Sequence, residues 1–207
     1  MIRVKICGLT NLKEALLAAE LGAHALGFIF YPQSPRYISP EKAAAIARRL
    51  PPFVARVGVF VNEEVERIKA IKEKVGLDWL QLHGDEPPSF CARFYPRVIK
   101  AFRLKSQEDL ARLAPYREVS SAFLLDTYVP GVPGGTGQTF DWQLAKKAKD
   151  FGLPVILAGG LGPDNVRQAV EEVAPYGLDV NSGVEWAPGR KHPALLRALF
   201  ARLSPFL

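Results

Sequence analysis

Phe123–Trp142 reads FLLDTYVPGVPGGTGQTFDW. The apolar run Phe123-Leu124-Leu125 ends in a single acid, Asp126. A loop holding Gly131, Gly134, Gly135 and Gly137 follows, and a helical pattern begins near Thr139. Strand, glycine loop and helix make one βα unit. An acid at the exit of such a strand is how a parallel α/β enzyme presents a proton donor to a ligand. Spacing removes two other readings of the loop. Gly135-Thr136-Gly137 lacks the third glycine of a dinucleotide fingerprint, and no Gly-Lys-Ser/Thr follows to make a P-loop. A plain surface turn behind a capping aspartate remains, and the rest of the chain weighs against it.

Outward from this stretch the same unit recurs. Strands are expected at Ile2–Cys7, Ala25–Phe30, Val54–Phe60, Trp79–Leu82, Arg97–Phe102, Ala122–Leu125, Pro154–Ala158 and Leu178–Val180. Helical periods separate them. Asn11 caps the first helix with Glu14 in the capping-box position, and Leu12, Ala15, Leu16 and Ala19 form its inner stripe. Ser39-Pro40 opens the second helix, and Asn62 is expected to cap the third, whose stripe is Val65, Ile68, Ile71 and Val75. Further helices are expected near Pro88–Phe94, Gln107–Leu113, Asp141–Lys149, Asp164–Val173 and Pro193–Leu203.

Eight such units imply a parallel sheet covered by its own crossover helices, either closed into a barrel or open and doubly wound. Cys7, His83, Asp126, Gly159-Gly160 and Asn181-Ser182 all fall at strand ends. Only closure gathers those ends around one mouth. The expectation is therefore an α/β fold, a single (βα)8 barrel over residues 1–207 with short loops.

Bulk properties exclude other classes. A 48% hydrophobic and 23% charged composition is that of a globular protein. No apolar run approaches the roughly 18 residues of a membrane span, and Met1–Lys5 lacks the apolar core of a secretory signal. Two cysteines, Cys7 and Cys91, are too few for a disulfide framework, so a reduced, cytoplasmic setting is expected. The net charge of +6 is scattered over helical segments and mixed with acids. No basic run interleaved with aromatics appears, so nucleic acid is not the expected partner; the excess suits attraction of an anionic metabolite.

Side-chain alternation places Arg3, Lys5 and Cys7 on one face of the first strand and Ile2, Val4 and Ile6 on the other. With the apolar face toward the helices, Lys5 and Cys7 point into the barrel. A thiol beside a buried cation is expected to have a lowered pKa and to act as base or nucleophile, though packing is the common use of a strand cysteine. Asp179 occupies the polar face of the last strand, which neighbours the first on closure, so Lys5 and Asp179 are expected to pair.

Gly159 and Gly160 after the seventh strand, with Ser182 and Gly183 after the eighth, sit where a barrel holds phosphate on bare N–H groups. Arg36, held among prolines after the second strand, suits a carboxylate, although an arginine on such a loop more commonly just faces solvent. His83 is open between lining the mouth and a structural place, and Cys91 reads as packing. The three histidines are too far apart in the pattern for a metal triad.

KICGLT stands at 5–10, SPR at 34–36, VGVFV at 57–61 and QLHG at 81–84. LLDTYVPGVPGGTGQTFDW follows at 124–142, LAGGLGPDNV at 157–166, LDVNSGVE at 178–185 and PGRK at 188–191. In these motifs, in this order, the chain resembles the phosphoribosylanthranilate isomerases of tryptophan biosynthesis. The resemblance implies a cofactor-free (βα)8 barrel that performs an Amadori rearrangement of a phosphorylated aminosugar. It implies Asp126 as general acid and Cys7 as general base. The implied substrate-binding set is Arg36 for the anthranilate carboxylate, the turns at Gly159, Gly160, Ser182 and Gly183 for phosphate, and Asp179. A histidine-pathway aminoaldose isomerase would suit a carboxylate where Cys7 stands. A metal-dependent epimerase would want clustered histidines and acids. A non-catalytic phosphate-binding barrel would not require Cys7 and Asp126 to face one cavity. The apolar turn Pro51-Pro52-Phe53-Val54, at the end opposite the mouth, suits a homodimer contact.

Overall fold

A computed structural model describes residues 1–126 and 142–207. Eight strands form the frame: β1 (Arg3–Ile6), β2 (Ala25–Ile29), β3 (Ala55–Phe60), β4 (Trp79–Leu82), β5 (Val98–Arg103), β6 (Ala122–Asp126), β7 (Val155–Ala158) and β8 (Gly177–Val180). Each pairs in parallel with the next, and β8 pairs with β1, so the sheet is a closed barrel. The expected strand ends hold to within a residue or two. The glycine loop at Gly131, Gly134, Gly135 and Gly137, with the helical start at Thr139, lies outside the described residues.

Seven helices cover the strands among the described residues: α1 (Leu12–Glu20), α2 (Pro40–Ala47), α3 (Val65–Val75), α4 (Pro88–Ala92), α5 (Trp142–Ala148), α6 (Val166–Val173) and α7 (Pro193–Leu203). The unit after β5 is a 3-10 helix, Gln107–Tyr116, opened by Ser106 in a capping box with Asp109. After β8 comes a single 3-10 turn, Ser182–Val184, and a hairpin of β9 (Glu185–Ala187) and β10 (Arg190–Lys191).

Period-two alternation divides the apolar residues into two layers. Phe123, Leu125, Val155, Leu157, Leu178 and Val180 pack outward against the helices, with Phe102 edge-on to Phe123 at 5.5 Å between centroids. Inside, Val57, Ile99, Ala122, Leu124, Ile156 and Ala158 fill the barrel. Burying each large apolar side chain contributes about 1.5–3 kcal/mol. Asp126 follows Leu124 on the inner face, which is why the acid at this strand's exit points toward the barrel axis. Arg3, Lys5 and Cys7 share that inner face on β1, as the alternation predicts.

Two capping expectations resolve differently. Asn11 does accept the Glu14 N–H at 3.0 Å, but the Glu14 carboxylate does not return to it. It reaches instead to the Lys191 N–H at 2.8 Å and to Arg190 Nε at 3.2 Å, fastening α1 to the β10 hairpin. Asn62 does not cap α3, which begins at Val65 behind Glu64. It sits at φ 50° and accepts the Asp85 N–H at 2.7 Å, joining the loops after β3 and β4.

Candidate active site

Because all eight strands run parallel, their C-terminal ends make one rim, and every expected site residue except Asp179 and Arg36 lies on or just beyond it. Asp179 stands within β8 and Arg36 on the loop after β2. Inside the rim opens a cavity of about 930 Å³ whose described walls include Ile29, Arg36, His83, Arg103, Asp126 and Asn181. Cys7 and the two glycine turns are not among those walls.

Cys7 directly follows β1 and is 3% exposed. Lys5, one inward position below, donates to Asp179 Oδ1 at 2.8 Å, and the two residues are register partners across β1 and β8. The expected pair is present. Cys7 Sγ and Lys5 Nζ converge on Gly27 of β2: a Cβ there would stand 2.7 Å from the sulfur and 3.0 Å from the ammonium. Burial disfavours the Lys5 charge, yet Asp179 and Cys7 lift its pKa above the ordinary value. For Cys7 the expected direction reverses. Burial, then the Asp179 carboxylate, push the thiol above its ordinary 9.0, and Lys5 offsets only part of this. Asp179 is therefore committed to Lys5 beneath the mouth.

Asp126 is 16% exposed in the wall of the cavity. His83 Nε2 stands 3.4 Å from its Oδ2, close enough for attraction but off the line of a hydrogen bond. Arg103 Nε is 3.7 Å from the same oxygen. Gln81, buried on the inner face of β4, meets His83 Nδ1 at 3.1 Å. With the Gln81 amide as donor, the imidazole proton is left on Nε2, facing Asp126. Thus His83 lines the mouth.

The turns after β7 and β8 lie backbone to backbone. A Cβ on Gly183 would stand 2.0 Å from the Leu161 carbonyl oxygen, so only glycine permits the approach. The N–H groups of Gly160, Ser182 and Gly183 meet no acceptor among the described residues, and such groups are open to an anion.

Arg36 is not free. Its Nε lies 3.0 Å from both carboxylate oxygens of Glu185, and its Nη2 lies 2.7 Å from Oε2. Glu185 also takes Lys191 Nζ at 2.8 Å and the Gly189 N–H at 3.1 Å. Burial pushes the Glu185 pKa up, but Arg36 and Lys191 outweigh it and hold the carboxyl below its usual range. Sequence reading passed over Glu185 and Lys191. The signal was present: a carboxylate in SGVE and a lysine in PGRK, each beside a phosphate-type turn. Among the described residues, no three His, Cys, Asp or Glu side chains cluster to hold a metal ion.

Fold and site together define a (βα)8-barrel enzyme with its working face at the C-terminal rim. Residues 4–202 match the family model of N-(5'-phosphoribosyl)anthranilate (PRA) isomerase, and the chain belongs to that family. A relative from Citrifermentans bemidjiense, N-(5'-phosphoribosyl)anthranilate isomerase, is 55% identical over 201 residues, covering 97% of this chain and 96% of its own. The crystal structure of the Thermotoga maritima phosphoribosyl anthranilate isomerase superposes with a TM-score of 0.92 at 48% identity over 100% of both chains. Another isomerase, solved with reduced 1-(o-carboxyphenylamino)-1-deoxyribulose 5-phosphate, gives 0.89 at 45% identity, again over 100% of both. Monomers generated from a dimeric Thermotoga maritima isomerase give 0.88 at 44% identity over the same extent.

Proposed function

We propose that this chain converts N-(5'-phosphoribosyl)anthranilate to 1-(2-carboxyphenylamino)-1-deoxyribulose 5-phosphate in tryptophan biosynthesis, with Asp126 as general acid and Cys7 as general base. The anilino nitrogen supplies the electrons. As its lone pair forms the C1–N double bond, the bond from C1 to the ring oxygen breaks, and Asp126 protonates the departing oxygen. Cys7, as thiolate, removes the C2 proton. The electrons of that C–H bond form a C1–C2 double bond, and those of the C1–N double bond return to nitrogen. Tautomerisation of the resulting enol moves a proton to C1 and leaves the ketone at C2. Every electron pair comes from the substrate, so the chemistry calls for no cofactor.

Binding groups follow from what each end of the substrate needs. The phosphate suits the turns at Gly159, Gly160, Ser182 and Gly183, with the open N–H groups of Gly160, Ser182 and Gly183 as its donors. The anthranilate carboxylate suits Arg36, and Asp179 acts through Lys5 on Cys7. The observation that carries the reading is the shared rim. β1, β6, β7 and β8 end around one opening, with a carboxyl in its wall and two touching glycine turns beside it. A relative solved with the reduced product supports a phosphorylated aminosugar as the class of ligand. The whole chain acts as one catalytic barrel, in the cytoplasm and as a homodimer through Phe53.

Turnover of the labile aminosugar by Cys7→Ala and Asp126→Asn tests the roles. Each variant is expected to lose at least about 10²-fold in kcat, the lower range for a missing acid or base. Near-normal turnover in either removes that residue from the mechanism; binding of phosphorylated ligand without turnover in the parent chain would leave only a binding barrel.

A further inference from the structure

The wall of the mouth on the Arg36 side holds a buried charge cluster, two members of which, Glu185 and Lys191, the mechanism above leaves unused. Lys191 is 0% exposed and places its three ammonium protons on Glu185 Oε1, the Asn181 carbonyl and Asn181 Oδ1, at 2.8, 3.1 and 2.9 Å. Its own backbone N–H is fixed by Glu14. Glu185 therefore has no freedom to follow Arg36; Arg36 follows it. Two cations and one carboxylate leave the cluster with one positive charge in excess. That excess faces the cavity, whose wall Arg36 forms.

Glu185 engages Arg36 from one side only. It takes the Nε edge and one Nη2 proton, and among the described residues no acceptor reaches Nη1. The end-on fork of Nη1 and Nη2 is left as a second bidentate edge, the geometry that matches a carboxylate. A lysine at 36 could offer neither edge.

We propose that Glu185, locked by Lys191, is a positioning residue that aims the open fork of Arg36 at the substrate's aromatic carboxylate and so sets selectivity for a carboxylated aniline. The inference rests on the reading that Arg36 meets that carboxylate, and deepens it by naming what fixes the guanidinium. Removing the Glu185 charge while keeping its shape lets the guanidinium turn. Recognition of the carboxylate then weakens, while the acid and the base stay where they are.

The test is E185Q beside R36A and the double variant. The readouts are kcat, KM and inhibition by the reduced product analogue with and without its carboxylate. Expected for E185Q are a KM raised about tenfold, kcat within about threefold, and loss of most of the preference for the carboxylated inhibitor. Adding E185Q to R36A should change KM no further, because the two act as one unit. A general loss of packing would lower kcat and weaken both inhibitors alike, and that pattern overturns the proposal. If R36A raises KM and E185Q does not, the proposal fails while the carboxylate reading stands. If R36A itself leaves KM unchanged, both fail. Should E185Q not fold, E185D, which keeps the charge but withdraws it by one methylene, is measured against the same expectations.

Discussion

At the scale of single residues, the sulfur of Cys7 sets how the reaction should depend on pH. Its thiol is pushed above 9.0 by burial first and the Asp179 carboxylate second. The working base is the thiolate, and its fraction below that pKa grows about tenfold per pH unit. kcat/KM, which reports groups of the free enzyme, should therefore climb between pH 7 and 9 without reaching a plateau. A profile already flat across that interval would contradict a thiolate base in this setting. Lys5 was legible from alternation alone, since an inward lysine on β1 needs an acid on the neighbouring strand, and Asp179 is the inward acid of β8. The sign of the Cys7 shift was not legible. It depends on how far burial outweighs a neighbouring cation, and a strand pattern gives facing but not depth.

Between elements, the loops that carry His83 and Asn62 are tied to β5 by one buried ion pair. Lys100 Nζ bonds Glu86 Oε2 at 3.0 Å and the carbonyls of Leu82 and Gly84 at 3.1 and 2.7 Å. Glu86 in turn accepts the N–H groups of Asn62 and Gly84 through Oε1. Both side chains are almost fully buried. Breaking one half strands a charge in the interior, so K100M should cost about 3–5 kcal/mol, read from chemical denaturation. K100M with E86L should recover much of that, because an apolar pair carries no desolvation penalty. A double variant less stable than K100M would refute this account. The strands and most helices were legible because their signal is local: runs of β-branched residues, and Ser39-Pro40 ahead of α2. Asn62 was misread for the opposite reason. Its partner, the Asp85 N–H, lies 23 positions along the chain, and no local pattern announces it. Glu14 looked like a capping-box acid by the same local rule, while its partners lie at the far end of the chain.

For the whole molecule, the two ends of the barrel divide the work. The mouth carries charge and open backbone groups, whereas the opposite end is mostly apolar, with Arg3, Lys5 and His24 as the basic members of its lining. Phe53, on the turn between α2 and β3, is 97% exposed. It stands at the edge of a cavity of about 350 Å³ lined by Val57, Trp79, Ile99, Ala122, Ile156 and Tyr176. A knob and a hole on the same face can satisfy each other only in a second copy, and two copies related by a twofold axis bury both knobs at once. Each Phe53 buried this way is worth about 1.5–3 kcal/mol, and the inner barrel floor loses its contact with water as well. The parent chain should therefore run in light scattering at twice its 22.8 kDa, with a Tm that rises with protein concentration. F53E should run at 22.8 kDa with a lower, concentration-independent Tm. Its kcat per chain should be unchanged, because the substitution lies at the end of the strands opposite the mouth. A parent chain that stays at 22.8 kDa at micromolar concentration and above would leave Phe53 without a partner and end the homodimer proposal.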